Sequence, residues 1–222
     1  SDGVAQTLST FQLTVNSVND APSAEDMSVS TNEDSAITIN VISPNADVDG
    51  DSLTSSTTVD PLHGSAVKNP DNTITYTPEL NFYGSDSFTY RLADTASSDL
   101  GVVSITVNPV NDPPGITNLI YDHSTIEDVA KTITFTVTDV DNSLTSDNVE
   151  ITNTNTTLFP DGSIVISGSG GDISVVMTPY TNLSGSSIQT VTVSDGNLSA
   201  VQDYSITVSA VNDIPIAMPD TK

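Results

Sequence analysis

Three copies of one pattern divide this chain, and their spacing constrains the fold more than any other feature. Each copy opens near an Asp and closes eighteen residues later on an Asn-Asp pair. The first runs from Ser1-Asp2-Gly3 to Val18-Asn19-Asp20, the second from Ala93-Asp94-Thr95 to Val110-Asn111-Asp112. The third runs from Ser194-Asp195-Gly196 to Val211-Asn212-Asp213. A β-rich run ending in or near Thr-Val lies inside every copy. One spacing kept three times marks tandem modules with an acidic linker at each joint. The Asn-Asp pairs recur after 92 and 101 residues, the size of a small β-sandwich domain.

Charge sharpens this reading. Twenty-nine acidic residues face four Lys and Arg, for a formal net charge of −25. Such a charge excludes nucleic acid as a partner, because the phosphate backbone would be repelled. Disorder does not fit, because Val, Ile, Thr, Tyr and Phe alternate along short segments bounded by Gly, Pro, Asn and Asp. Most of the acid is Asp, the carboxylate of turns and of calcium loops. There is no cysteine, so no disulfide staples the modules. A metal could take that part. No run is apolar and long enough to span a membrane, and no signal peptide opens the chain. It therefore reads as a piece of a longer protein.

The strand pattern predicts an all-β chain of tandem Greek-key sandwiches. Residues 1–20 read as terminal strands and linker of a preceding repeat, with Thr7–Val15 as a strand. One full repeat spans 21–110, a second 111–212, and 213–222 reads as the opening of a third. In the first repeat, strands are expected at Ala36–Val41, Leu53–Val59, Ser65–Lys68, Thr73–Thr77, Ser87–Leu92 and Val102–Val107. In the second they are expected at Lys131–Thr138, Val149–Asn153, Ser163–Ser167, Ile173–Thr178, Ile188–Val193 and Asp203–Val208. Short first strands near Met27–Val29 and Leu119–Tyr121 bring each repeat to about seven, a Greek-key sandwich number.

The repeats also align internally. Glu33-Asp34 matches Glu127-Asp128, and Asp47-Val48-Asp49 matches Asp139-Val140-Asp141. Thr77-Pro78 matches Thr178-Pro179, and Gly84-Ser85-Asp86 matches Gly185-Ser186-Ser187. Calcium needs six to eight oxygens, which a joint between two sandwiches can supply better than one loop. In a seven-stranded sandwich Glu33 and Asp86 fall at one pole, and Asp139, Asp141 and Asp195 at the opposite pole of the next repeat. With Asn111 and Asp112 in the linker, the middle joint is expected to hold about one to three calcium ions. The first joint offers Asn19, Asp20, Asp47, Asp49 and Asp94. The last offers Glu127, Asn212 and Asp213.

These motifs resemble cadherin repeats, and more closely the cadherin-like repeats of large secreted bacterial adhesins, including the RTX type. Val-Asn-Asp-x-Pro, Tyr76-Thr77-Pro78 and Gly84-Ser85-Asp86-Ser87-Phe88 carry the likeness, which covers nearly the whole chain. The resemblance implies an immunoglobulin-like sandwich, calcium in the joints, and a spacer role in adhesion or biofilm at the cell surface. Two departures stand out. The longer acidic linker of animal cadherins is reduced to Asn-Asp, implying fewer ions. Ser187 replaces the Asp86 equivalent, implying a weaker joint below the second repeat.

Other chemistry has little support. Asp47–Asp51 is no EF-hand, since Thr58 stands where that loop needs a bidentate Glu. No nucleophile elbow, zinc-protease helix or phosphate loop is present, and His63 and His123 have no paired nucleophile nearby. Paired carboxylates could suggest a glycosidase, but there is no Trp to stack a sugar. The alternative reading is a recognition module for glycan or protein, with Phe82, Tyr83 and Tyr180 as ring platforms. Bland readings remain for each motif: Asn-Asp before Pro is a common turn, and Glu33-Asp34 could be a solvated edge.

Overall fold

The computed structural model describes residues 10–44 and 46–213, together with Gly3. The chain divides into two compact units, Ser1–Val110 and Asn111–Lys222. Each is built from strands, with one short 3₁₀ turn at Ser146–Asn148 and no α-helix among the described residues.

Among the described residues, unit 1 holds seven strands. They are β1 (Met27–Asn32), β2 (Ile37–Ile39), β3 (Thr54–Val59), β4 (Gly64–Lys68), β5 (Ile74–Pro78), β6 (Gly84–Ala93) and β7 (Ser98–Asn108). One sheet has the order β1-β7-β6-β3, the other β2-β5-β4. Strand β1 pairs parallel to β7, from Met27 opposite Val103 to Asn32 opposite Asn108. Strict alternation along β6 and β7 sends Phe88, Tyr90, Leu92, Val103, Ile105 and Val107 inward, where they meet Ile39, Ile74 and Tyr76 of the second sheet. Period-2 patterning thus buries one face of each sheet against the other.

Among the described residues, unit 2 holds eight strands. These are β8 (Gly115–Thr117), β9 (Asp122–Ile126), β10 (Lys131–Thr138), β11 (Val149–Asn153), β12 (Ile164–Ser169), β13 (Asp172–Met177), β14 (Gly185–Ser194) and β15 (Ser199–Ser209). The sheets run β11-β14-β15-β9 and β12-β13-β10-β8. Its core includes Phe135, Phe159, Val175, Val191, Tyr204 and Ile206.

The two cores exchange bulk across equivalent pairs. In unit 1, Tyr90 lies opposite Gly101, and a Cβ on Gly101 would come within 2.6 Å of the tyrosine ring. In unit 2 the matching pair is Val191 and Gln202. Phe88 opposite Val103 becomes Gln189 opposite Tyr204. Close packing tolerates such trades where total volume is kept.

Two expected strands are corrected. Leu119–Tyr121 forms none. Asn118 takes a positive φ of 61° and the strand splits around it. β8 pairs antiparallel to β10 in one sheet, and β9 pairs parallel to β15 in the other. Buried Leu119 sits at the crossing. In the expected Thr7–Val15 strand, residues 10–15 form no strand, and 7–9 lie outside the described residues. Phe11, Leu13 and Val15 alternate as their counterparts Val103, Ile105 and Val107 do, yet are 87%, 78% and 82% exposed. A strand is made by its neighbours, and this segment has none in unit 1. Of the expected opening of a third repeat, 213–222, all but Asp213 lies outside the described residues.

Candidate metal centres

Each unit gathers its acidic loops at one end, where β6 or β14 stops. In unit 1 the Asp47 Oδ1 atom accepts the amides of Asp49, Gly50 and Asp51, at 2.9, 3.0 and 3.3 Å. This side chain therefore shapes its own turn, helped by the positive φ of Gly50. Its second oxygen is shielded from solvent and has no hydrogen-bond partner. The loop after β6 is built the same way. Asp94 Oδ1 accepts the amides of Ala96 and Ser97, both at 2.6 Å. Asn19 then ties the incoming linker down, donating to Asp94 Oδ2 at 3.0 Å, while the Asp20 amide donates to Asp49 at 2.7 Å. The Asn19 contact, followed by those amides, holds the Asp94 carboxyl well below the usual carboxylate range. Carboxylate oxygens of Asp47, Asp51 and Asp94 lie within 4.8 Å of one another.

Unit 2 repeats the arrangement with its own residues. Asp139 Oδ1 accepts the amides of Asp141 and Asn142 at 2.9 and 2.8 Å, and its Oδ2 is shielded and without a partner. Asp195 Oδ1 accepts the amides of Asn197 and Leu198. Asn111 donates to Asp195 Oδ2 at 2.8 Å, and the Asp112 amide to Asp141 at 2.7 Å. The Asn111 contact leads the causes that lower the Asp195 carboxyl. One difference matters chemically. Ser143 takes the place of Asp51, and the Asn142 side chain donates to Asp139 and to Asn111 at 3.3 and 3.4 Å. Unit 1 thus clusters the carboxylates of Asp47, Asp51 and Asp94, while unit 2 has Ser143 in the place of Asp51 and the Asn142 amide bonded to Asp139.

Sequence reasoning overlooked Asp51. The run Asp47-Val48-Asp49-Gly50-Asp51 offers acids at alternate positions, and the last of them turns back towards Asp47 and Asp94. Asn142 was also passed over, although it directly follows Asp141.

At the opposite end of unit 1 stand Glu33 and Asp86. Asp86 has a structural task within unit 1. Its Oδ1 accepts the amides of Leu62 and Ser87, and its Oδ2 accepts the His63 amide and the Tyr76 hydroxyl. Four donors fill the roughly four lone-pair sites of a carboxylate. Burial pushes its pKa up, but those bonds outweigh it and the carboxyl titrates lower than usual. Burial and then Asp86 push the Tyr76 hydroxyl up. The carboxylate closes the edge of β6 that β3 leaves open, since β3 reaches only Thr89. In unit 2 that edge is closed by Thr154 and Asn155, which bond Ile188 and Ser186. This is why Ser187 can stand where Asp86 does, and Met177 where Tyr76 does.

Glu33 follows the last pair of β1 and is 3% exposed. Its Oε1 accepts the Val110 amide, and its Oε2 has no partner. Glu127 is its counterpart in unit 2, buried, accepting the Val211 amide. Beyond it Asn212 donates to the Asp213 carbonyl at 3.4 Å. Of the expected residues, Asn19, Asp20, Asp47, Asp49 and Asp94 meet in unit 1. Asn111, Asp112, Asp139, Asp141 and Asp195 meet in unit 2. Glu33 and Asp86 belong to unit 1; Glu127, Asn212 and Asp213 belong to unit 2.

Residues 19–106 match the family model described as bacterial Ig domain. Unit 1 thus carries a bacterial immunoglobulin-like repeat, and the β topology of both units agrees with such sandwiches. No curated protein matches the sequence. Solved structures similar to the chain include an endo-fucoidan hydrolase from glycoside hydrolase family 107, at 21% identity and a TM-score of 0.36, covering 86% of this chain and 29% of that one. They also include the titin domains z1z2 in complex with telethonin, at 9% identity and a TM-score of 0.39, covering 88% of this chain and 97% of that one. The chain spans less than a third of the hydrolase. No helix of the described residues is long and apolar enough to cross a membrane.

Proposed function

We propose that this chain is a calcium-binding, calcium-stiffened pair of repeats from a bacterial adhesin-type surface or secreted protein. It serves as a spacer between neighbouring repeats and whatever ligand the parent protein holds. The observation that carries this reading is the acidic cluster built twice, with a shielded, unpartnered Oδ2 on Asp47 and on Asp139. In each unit the Asn-Asp linker is bonded into the cluster by Asn19 and Asp20 or by Asn111 and Asp112. An ion there would tie linker and loops together, so its binding energy would become linker order. A net charge of −25 with four Lys and Arg leaves little else to neutralise these groups. Neighbours would then be repeats of the same kind, and the setting extracellular or at the bacterial surface. The chain itself would perform no catalysis.

Extracellular calcium modules bind at ~10⁻⁴–10⁻³ M. Calorimetric titration of the full chain with calcium tests the reading, alongside melting in calcium and in chelator. At 100 times the dissociation constant one site adds about 2.7 kcal/mol. Asp47→Asn should remove binding from unit 1 and Asp139→Asn from unit 2, with unit 1 the tighter because it carries Asp51. No heat of binding and no change in either melting step would sink the proposal.

A recognition module for glycan is the second reading. It draws on His63 stacked on Phe82 at 4.3 Å beside exposed Tyr83 and Leu62, and on exposed Tyr180 in the matching loop of unit 2. Binding to neutral polysaccharides that Tyr83→Ala abolishes would put it in front.

A further inference from the structure

The calcium reading assigns Glu33 and Glu127 to the joints as ligands. Their geometry within each unit supports a different and independent task. In unit 1 the parallel ladder of β1 and β7 ends at Asn32 opposite Asn108. It is prolonged by two bonds from one residue. The Glu33 amide donates to the Asn108 carbonyl at 2.9 Å, and the Glu33 Oε1 accepts from the Val110 amide. Unit 2 does the same. The β9–β15 ladder ends at Ile126 opposite Ser209. The Glu127 amide then donates to the Ser209 carbonyl at 3.0 Å, and its Oε1 accepts from the Val211 amide. Both glutamates are buried.

The turn that carries each glutamate is rigid, and it is the same turn. Asp34 and Asp128 follow with φ of 57° and 60°, and their Oδ1 atoms accept the amides of Asn81 and Asn182 at 2.9 and 3.0 Å. Thr31 and Thr125 close the turn with bonds to the carbonyls of Ser35 and Val129. A left-handed Asp after Glu is costly unless its surroundings hold it, and here a side-chain bond holds it twice. The residue after each bonded amide is the Asn of the Asn-Asp motif. Val18 is the corresponding valine of the first copy and follows no such glutamate among the described residues.

From this we infer that Glu33 and Glu127 are linker latches. Each buried carboxylate seizes the amide of the second residue beyond the last strand and fixes where and in which direction the Asn-Asp linker leaves its repeat. The latch is an intramolecular hydrogen bond, so it works without cations. It sets linker order apart from any ion that neighbouring loops hold.

Amide exchange on the full chain in chelator, followed residue by residue, tests it, with Val18 as the internal control. A hydrogen bond to a charged acceptor should slow exchange of the Val110 and Val211 amides by about 10- to 100-fold relative to Val18. Glu33→Ala should bring Val110 to the Val18 rate, and Glu127→Ala should do so for Val211. Amides of Ile105 and Ile206 report whether each core remains folded. Glu33→Asp and Glu127→Asp keep the charge but shorten the reach by one methylene, and should also release the amide. Should an alanine variant unfold, the aspartate variant and the wild-type comparison still decide. The inference is overturned if Val110 and Val211 exchange as fast as Val18 in the wild type. It is equally overturned if they slow only when calcium is added, or if the aspartate variants keep full protection.

Discussion

Gln189 should be the weak point of unit 2, and replacing it with methionine should stabilise the protein. The residue is 0% exposed, and neither its Oε1 nor its Nε2 has a hydrogen-bond partner among the described residues. An unmet buried polar group costs about 1–3 kcal/mol, and one amide carries two such atoms. Methionine has nearly the same length and volume and no polar hydrogen, so the swap removes the penalty without opening a cavity. The matching position in unit 1 is Phe88, so the architecture accepts an apolar side chain there. A net gain of about 2 kcal/mol, at roughly 4–8 °C per kcal/mol for a domain of this size, raises the melting step of unit 2 by roughly 8–16 °C. The step of unit 1 should not move. Calorimetry of the full chain at fixed calcium reads both steps at once. The reciprocal change, Phe88→Gln, should lower unit 1 by more than about 3 kcal/mol, since it loses ring packing and buries the same amide. If Gln189→Met melts at or below the wild-type temperature, the amide has partners that satisfy it, and the reasoning fails.

Two further outcomes follow from the same packing and charge arguments. Gly101→Ala should destabilise unit 1 by about 1–3 kcal/mol in urea unfolding, because the new Cβ would sit 2.6 Å from the ring of buried Tyr90, whose hydroxyl is anchored on the Glu25 carbonyl at 2.8 Å. For acid, the Asp86 carboxyl is lowered in the folded state, so its stabilisation is complete above the unfolded value of about 3.9 and is lost as pH falls through the lower folded value. Asp86→Asn should therefore flatten the acid limb of unit 1 in melts between pH 5 and about 2, and leave unit 2, which has Ser187 there, as it was; an unchanged limb would refute it.

Much of the fold was legible because it rests on local alternation. Strand β10, Lys131–Thr138, and strand β11, Val149–Asn153, fall where period-2 patterning puts them. Patterning says which face is buried but not whether a neighbour exists. Phe11-Gln12-Leu13-Thr14-Val15 alternates as well as Val103–Val107 does, and forms no strand because it pairs with none of the strands of unit 1. Leu119–Tyr121 failed for a different reason. Leu119 was expected to open a short strand, when the left-handed Asn118 makes it the pivot between two sheets. That Asn111 would meet Asp195, 84 residues away, could be read from spacing repeated three times. The task of Asp86 could not, because its partners Leu62 and His63 lie in a loop with no pattern of its own.

The comparison of the two repeats separates what the fold needs from what the loops do. Across the pairs Tyr76 and Met177, Asp86 and Ser187, Phe88 and Gln189, the interior changes chemistry freely, and each change is offset by a neighbour or left as a defect. Across Asn19-Asp20 and Asn111-Asp112, Asp47 and Asp139, Asp94 and Asp195, Glu33 and Glu127, the loops keep both residue type and hydrogen-bond geometry. A sandwich of this size can fold around many cores. It does not require a row of carboxylates at one end, which raises its own repulsion in a chain already at −25. Retention of a locally unfavourable feature in two copies, while favourable core residues drift, points to a task at the ends of the repeats and away from their faces. If that task were only turn formation, Asp47→Asn and Asp139→Asn would be neutral in calcium and in chelator alike, since asparagine shapes the same turn. A loss confined to calcium would leave the charge itself as the reason these residues stand there.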